Sequence, residues 1–296
     1  MSILLDRSNR VLIQGITGQM GTFFVEDARR YGTQIVAGVS PGRGGTSVGD
    51  VPVFASVRVA REATGADTAI VFVPPAAVLG AAMEAIEGGC RLVVATADEL
   101  PVLDAIELRA AAQANGAAFV GPNTPGLISP GKAKLGFMPS FCYAQGNVGV
   151  ISRSGSLSYE CAKRLTLAGI GQSTVVGIGG DPVKGTTAAE ALQLFHDDPE
   201  THAVLYLGEI GGSEETFVAE YAARRDAKPI AALIVGQTAP KGKKMGHAAA
   251  LIGSKAEGHA AKIAMLREAG VHIADGVSAV ASATAQALSA RKRAAA

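Results

Sequence analysis

Short β-branched runs alternate with longer, alanine-rich amphipathic stretches along this chain. That alternation is the signature of βα units feeding a parallel sheet. It occurs in two series. The first predicts strands over 11–14, 34–39, 68–73, 91–96 and 117–120, with helices over 22–31, 76–87 and 102–115. The second predicts strands over 148–152, 173–176, 203–207, 230–235 and 271–274. Between them, residues 129–146 are rich in Gly, Pro and Lys and show no clear period, which marks a linker between a domain over 1–128 and a domain over 147–296. There is no short tandem repeat, and the basic end over 289–296 reads as a frayed helix terminus.

Length agrees with two domains, because 296 residues with 48% hydrophobic and 18% charged content can fill two ordinary cores. The charge is balanced, 27 Lys+Arg against 26 Asp+Glu for a net +1, which gives no electrostatic footprint for nucleic acid or an anionic membrane. Cys90, Cys142 and Cys161 are odd in number and widely spaced, unlike a disulfide framework or a zinc site, so no metal is expected and a reducing cytoplasm is. No apolar segment approaches the roughly 18 residues of a membrane span, and the N-terminus lacks the form of a secretory signal.

The candidate chemistry lies where strands end. Gly15-Ile16-Thr17-Gly18-Gln19-Met20-Gly21 follows the first strand and opens the first helix, so its amides are placed either to cradle a phosphate or simply to turn the chain. Its glycine spacing differs from the dinucleotide fingerprint. The second strand ends in Ser40-Pro41-Gly42-Arg43-Gly44-Gly45 instead of an acidic residue, and Arg43 suits a phosphorylated nucleotide better than NAD. In the second series, Ser154, Gly155 and Ser156 stand at a strand-to-helix junction with hydroxyls and amides for an anion, or for no more than a helix cap. The Gly-rich loops 177–182 and 208–212 end the next two strands. His247 sits in the basic, glycine-rich run Lys241-Gly242-Lys243-Lys244-Met245-Gly246-His247, where imidazole offers a nucleophile at neutral pH. Glu209 is the acidic residue of the 208–212 loop, able to accept a hydrogen bond from His247 Nδ1 and leave Nε2 nucleophilic; its alternative is a solvated charge.

Taken in order, the runs Gln14 to Gly18, Pro41 to Gly45, Gly121-Pro122-Asn123, Ile151 to Gly155, Gly177 to Pro182, Gly208 to Gly212, and Ala239 through His247-Ala248 make the chain resemble the α subunits of succinate-CoA ligases (succinyl-CoA synthetases) and related acyl-CoA ligases over nearly its whole length. The resemblance implies an α/β protein with a Rossmann-like, CoA-binding N-terminal domain followed by a flavodoxin-like, doubly wound parallel-sheet ligase domain. It implies a phosphohistidine at His247 supported by Glu209, and CoA contacts at Thr17, Gly18, Gln19, Met20, Arg43, Thr96, Ala97 and Asp98. It places Tyr159, Asn123 and Thr124 near the acyl substrate, with Tyr159 in a helix whose amino end, at Ser154, Gly155 and Ser156, receives the phosphorylated histidine.

Four departures from the family pattern stand out. Arg43 stands where relatives commonly carry lysine, and Ala97 and Asp98 replace the more usual threonine and glutamate. Thr124 replaces a usual cysteine, adding a hydroxyl beside the acid, which turns preference towards a hydroxylated dicarboxylate such as malate. Phe141-Cys142-Tyr143 is apolar where the family is polar.

The chain lacks a Gly-x-x-x-x-Gly-Lys-Ser/Thr loop, so the resemblance assigns ATP/ADP or GTP/GDP and Mg²⁺ mainly to an ATP-grasp β subunit, in an αβ heterodimer or (αβ)2 heterotetramer. The expected activity is ADP- or GDP-forming ligation of succinate to CoA through an acyl phosphate and a phosphohistidine. A malate-CoA or other carboxylate-CoA ligase subunit is the alternative within this class, and a non-catalytic CoA-binding regulatory protein the alternative outside it. A pure binder needs neither His247 nor Glu209.

Overall fold

A computed structural model describes residues 2–240 and 245–294. Met1, the basic-run residues Lys241, Gly242, Lys243 and Lys244, the side chains of Lys292, Arg293 and Ala294, and the last two residues of the chain lie outside the described residues. The chain forms two compact units, Leu4–Met138 with Val183–Thr186, and Met1–Ile3 with Pro139–Pro182 and Thr187–Ala296.

In the first unit the elements run β1 (Arg10–Gln14), α1 (Gln19–Tyr31), β2 (Gln34–Val39), β3 (Ser47–Val48), β4 (Val51–Phe54), α2 (Val57–Thr64), β5 (Thr68–Val71), α3 (Pro75–Glu87), β6 (Leu92–Ala95), α4 (Val102–Ala114) and β7 (Ala118–Val120). A hairpin of β8 (Gly126–Ser129) and β9 (Ala133–Gly136) follows. The sheet order is β3-β4-β2-β1-β5-β6-β7, parallel except for the β3–β4 pair. Strands β5 and β6 are buried at every position, which is why they read as continuous apolar runs and not as an alternation. Leu12, Val39, Val71 and Val93 pack with Val78, Ile86 and Leu108 of the covering helices. Gly15, in the left-handed region at φ 76°, makes the turn out of β1, where a Cβ would collide with the Phe72 carbonyl.

Two sequence expectations change here. The strand expected over 68–73 stops at Val71, because Pro74 lacks an N–H for the ladder and Pro75 opens α3. The pieces β3, β4 and α2 were not anticipated. Pro52 interrupts the strand signal of β4, although Ser56, whose side chain caps α2 at Val59 N, is a legible start.

The second unit runs β10 (Gln145–Ser152), α5 (Gly155–Leu167), β11 (Gln172–Gly177), α6 (Ala188–Asp197), β12 (Ala203–Glu209), α7 (Glu214–Ala222), β13 (Ile230–Val235), α8 (His259–Glu268), β14 (His272–Ile273) and α9 (Val280–Ala294). Its strands are parallel in the order β14-β13-β12-β10-β11, placing the first strand of the unit between its second and third as doubly wound folds do. Strand β12 is buried throughout, and α6 starts on a capping box between Thr187 and Glu190.

Residues 129–146, expected as a linker, carry β9, a 3-10 turn at Ser140–Cys142 and the start of β10. Lys134 explains part of this: its ammonium is buried, bonded to Asp27 and to the Met138 carbonyl, so a lysine that reads as loop composition belongs to packed structure. In the Phe141-Cys142-Tyr143 run, Cys142 and Tyr143 are buried while Phe141 is exposed with Lys163 Nζ 5.5 Å from its ring centre. The expected frayed end is helical through Ala294. Cys90, Cys142 and Cys161 are free and buried, and burial pushes the thiols of Cys90 and Cys161 up to about 12, far from nucleophilic. No described helix is long and apolar enough to cross a membrane.

Candidate functional site

In the first unit, the loops after β1 and β2 meet at their tips, where Thr17 Oγ1 and Ser40 Oγ are 2.9 Å apart. Thr17, Gly18, Gln19 and Met20 are exposed, and α1 begins at Gly18 with no side chain capping it. The first amides of that helix are therefore open to an anion. Arg43 is exposed in the second loop, where its carbonyl accepts from Thr46 Oγ1. Beside these loops a cleft of about 330 Å³ is lined by Gln14, Gly15, Val39, Pro41, Val73 and Pro74 among others. After β6, Thr96 and Ala97 are half-buried and Asp98 is exposed; the Ala97 carbonyl accepts from Asn123 N at 2.8 Å. Asn123 holds φ 53°, a left-handed conformation that asparagine tolerates, and orients the turn into Thr124. Thr124 is only 4% exposed, and its hydroxyl oxygen accepts from Gly126 N at 2.9 Å.

The second unit brings together His247, Glu209 and the Gly-rich loops. The imidazole Nδ1 lies 2.8 Å from Glu209 Oε2 and 3.0 Å from Oε1. The ring rests on Gly180, where a Cβ would penetrate the imidazole, and the Gly180 carbonyl accepts from Ala249 N at 3.2 Å. His247 is thus held between a bare stretch of backbone on the 177–182 loop and a carboxylate on the 208–212 loop. The hydrogen bond to Glu209 raises the His247 pKa above its ordinary 6.5, outweighing the opposite effect of burial; Asp181 adds to the rise and Arg153 opposes it. With Nδ1 facing Glu209, Nε2 carries the lone pair of the neutral ring.

Glu209 is itself anchored. Arg153 Nη2 is 3.1 Å from Glu209 Oε1, and Arg153 Nη1 donates to the carbonyls of Glu209 and Gly211 at 3.2 and 2.9 Å. Lys262 Nζ reaches the same two carbonyls at 3.0 and 2.7 Å and is ion-paired with Glu215. Glu215 Oε1 accepts from Tyr206 OH at 2.9 Å and from Arg153 at 3.4 Å. Arg153, Glu215 and Lys262 are 1%, 0% and 2% exposed, so this charged cluster is excluded from water.

Arg153 stands directly before Ser154, the N-cap of α5, whose side chain accepts from Leu157 N. Gly155 and Ser156 form the first turn of α5. Tyr159, expected near the start of this helix, lies four residues after its first residue and is half-buried, which raises its pKa.

Local motifs mark Glu209 and His247 but not Arg153, Glu215, Lys262 or Tyr206. A signal was available. In α7 Glu215 shares the buried face with Val218 and Ala219, and in α8 Lys262 shares it with Ile263 and Leu266, so helical periodicity puts both charges on the apolar side. Among the described residues no group of three or more His, Cys, Asp or Glu is arranged to hold a metal.

Residues 6–98 match the CoA binding domain family and residues 151–293 the CoA-ligase family. The chain is 46% identical to the Succinate–CoA ligase [ADP-forming] subunit alpha of Aquifex aeolicus, across 92% of this chain and 90% of that protein. It is also 46% identical to the Malate–CoA ligase subunit alpha of Methylorubrum extorquens, across 93% and 94%. Among solved structures, ATP citrate lyase from Methanothrix soehngenii superposes with a TM-score of 0.90 over 99% of this chain, at 21% identity and over 52% of that longer chain, a likeness of fold.

Proposed function

This chain belongs to the family of succinate–CoA ligase α subunits, and from that membership we propose that it works with an ATP-grasp β subunit to join a small dicarboxylic acid to CoA at the expense of ATP or GTP. The observation that carries the reading is the His247–Glu209 pair, a ring nucleophile held through Nδ1 with Nε2 left for chemistry. Running towards nucleotide synthesis, phosphate attacks the acyl-CoA carbonyl, the CoA thiolate leaves and an acyl phosphate forms. His247 Nε2 then attacks phosphorus; the bond from phosphorus to the acyl oxygen breaks and the carboxylate departs. Phosphorylation places positive charge on the ring, and Glu209 stabilises it through the proton kept on Nδ1. The phosphoryl group passes finally to ADP or GDP, which with Mg²⁺ belongs to the β subunit. The amides of Gly155 and Ser156 at the start of α5, behind the N-cap Ser154 whose own amide donates to Ser152 Oγ, suit a phosphoryl group.

CoA belongs to the N-terminal domain, with its phosphates at Thr17, Gly18, Gln19, Met20 and Arg43 and further contacts at Thr96, Ala97 and Asp98. The open helix amides and the exposed guanidinium fit a polyanion, and CoA supplies the thiol that the chain's own buried cysteines do not. The residues assigned to the acid are Asn123, Thr124 and Tyr159. The family's assembly as αβ or (αβ)2 and a cytoplasmic setting complete the proposal. Equal identity to a succinate-named and a malate-named relative leaves the acid to local residues. Succinate is the main substrate in our reading, with Thr124 tilting the balance towards malate.

The test is to incubate the αβ complex with γ-labelled ATP and Mg²⁺ and map the label. Acid-labile, base-stable phosphate on the peptide containing His247 is expected, and label found only elsewhere would sink the reading. Two variants then separate the remaining assignments. Arg43→Ala weakens CoA binding in calorimetry while His247 labelling persists. Thr124→Cys lowers the malate-to-succinate ratio of kcat/KM by roughly 2- to 10-fold, the worth of one neutral hydrogen bond. An unchanged CoA affinity removes Arg43 from the site, and an unchanged ratio removes Thr124.

A further inference from the structure

The buried charges behind Glu209 are costly to leave unpaired and far more elaborate than a single strand-end loop needs for its stability. Four of them, Arg153 and Lys262 against Glu209 and Glu215, sum to zero and share main-chain acceptors. Each member comes from a different element: Arg153 from the junction of β10 and α5, Glu209 from the end of β12, Glu215 from α7 and Lys262 from α8. The two cations converge on the carbonyls of Glu209 and Gly211, bracketing the residue that touches His247.

We propose that Lys262 and Arg153 are positioning residues for the phosphate carrier: they clamp the backbone on either side of Ile210 and neutralise the Glu209–Glu215 carboxylates, and so fix both the tautomer and the protonation of His247. The inference rests on the reading of His247 as that carrier. Lys262 uses all three of its N–H donors, on Glu209 O, Gly211 O and Glu215 Oε2, a geometry only the ammonium form satisfies. Burial pulls against that charge and Glu215 sustains it. Lys262 and the Tyr206 hydroxyl both reach Glu215, so Arg153, whose Nη1 is 3.4 Å from Glu215, turns Nη2 to Glu209 at 3.1 Å and is shared between the two carboxylates. The Glu209 carboxylate then accepts from Nδ1–H, while Arg153 opposes its pull on a second proton at Nε2.

The charged groups around the ring and its support are Glu209 on β12, Asp181 after β11, Arg153 before α5, Glu214 and Glu215 on α7, and Lys262 on α8. Removing Lys262 takes the four-charge cluster from zero to −1. The ring, the group nearest neutrality, responds by holding its proton to higher pH. Removing the Glu215 charge takes the cluster to +1 and shifts the ring the other way.

The experiment titrates the imidazole nitrogens by ¹⁵N NMR in the full chain, with His247 assigned from the spectrum of His247→Gln. The wild type is expected to show the Nδ1–H tautomer. In Lys262→Met the His247 midpoint rises by about one pH unit or more, in Glu215→Gln it falls by a similar amount, and Lys262→Arg restores most of the wild-type value. Opposite shifts from two substitutions at one ion pair distinguish charge balance from a packing lesion, which moves both the same way. The acid limb of His247 phosphorylation in the αβ complex follows the same order. Midpoints and tautomer unchanged in both Lys262→Met and Glu215→Gln overturn the proposal, as do shifts of the same sign; if Lys262→Met does not fold, Glu215→Gln and Lys262→Arg decide alone. Failure of His247 to accept label in the wild-type complex refutes the carrier reading instead and leaves the titration result standing.

Discussion

Glu209→Gln is expected to slow phosphorylation of His247 by roughly 10- to 100-fold on the alkaline plateau, the kinetic equivalent of losing a hydrogen bond to a charged partner worth about 1.5–3 kcal/mol. The amide still reaches Nδ1 but cannot stabilise the positive charge that the ring acquires. The pH profile carries the more specific part of the prediction. Glu209 holds the His247 pKa above 6.5, and the nucleophile is the neutral ring, so the wild-type rate rises with pH through that elevated midpoint. Without the carboxylate the midpoint falls and the acid limb moves to lower pH. The deficit should therefore shrink as the solution is made more acidic. Quenched-flow labelling across the pH range reads both effects; a uniform deficit at every pH would show that Glu209 does not set the protonation of the ring. The same shift carries a stability signature. An imidazole whose pKa rises on folding adds stability below its unfolded pKa, and that contribution disappears as pH increases through the folded value.

Gly180→Ala is expected to cost about 100-fold in phosphoryl transfer, the scale on which a displacement near 1 Å acts on an aligned reaction. Its Cβ would occupy the space of the His247 ring, and the neighbouring Ala249 amide is bonded to the Gly180 carbonyl, so the ring must leave its seat before the loop can. Gly180 does not hold a left-handed φ, which makes the lesion one of contact and not of backbone strain. CoA binding should be untouched, because the loops assigned to CoA belong to the other compact unit. Wild-type labelling in Gly180→Ala would mean that the ring does not react from the position seen here.

The parts of this molecule that were legible in the sequence are those governed by local chemistry. Strands β1, β2, β6 and β13 are apolar runs closed by glycine or by a change to polar residues, and their bounds agree with the expectation to within a residue or two. The His247–Glu209 contact was also anticipated, because both residues lie in glycine-rich loops at the carboxyl ends of parallel strands, where a doubly wound fold gathers its chemistry. What escaped was decided by tertiary packing. Pro52 masked β4, and the loop composition of 129–146 concealed the burial of Lys134. Arg153 read as one more polar residue in a serine-rich turn, although it supplies the counter-charge to Glu209. Lys262 and Glu215 meet across α7 and α8, a pairing that no local window contains.

His247, its carboxylate and the supporting charges all belong to one compact unit, whereas Asn123, Thr124 and every proposed CoA contact belong to the other. A lineage can trade one dicarboxylate for another by rewriting the turn around Thr124 while the acid–base behaviour of the histidine stays as it was. Conversely, a change at Lys262 should alter the working pH of the subunit with whichever acid it is given. Chimaeras that exchange the two units between the succinate-named and malate-named relatives should then carry pH response with the histidine's unit, while substrate range divides between the turn around Thr124 and Tyr159, which belongs to the histidine's own unit.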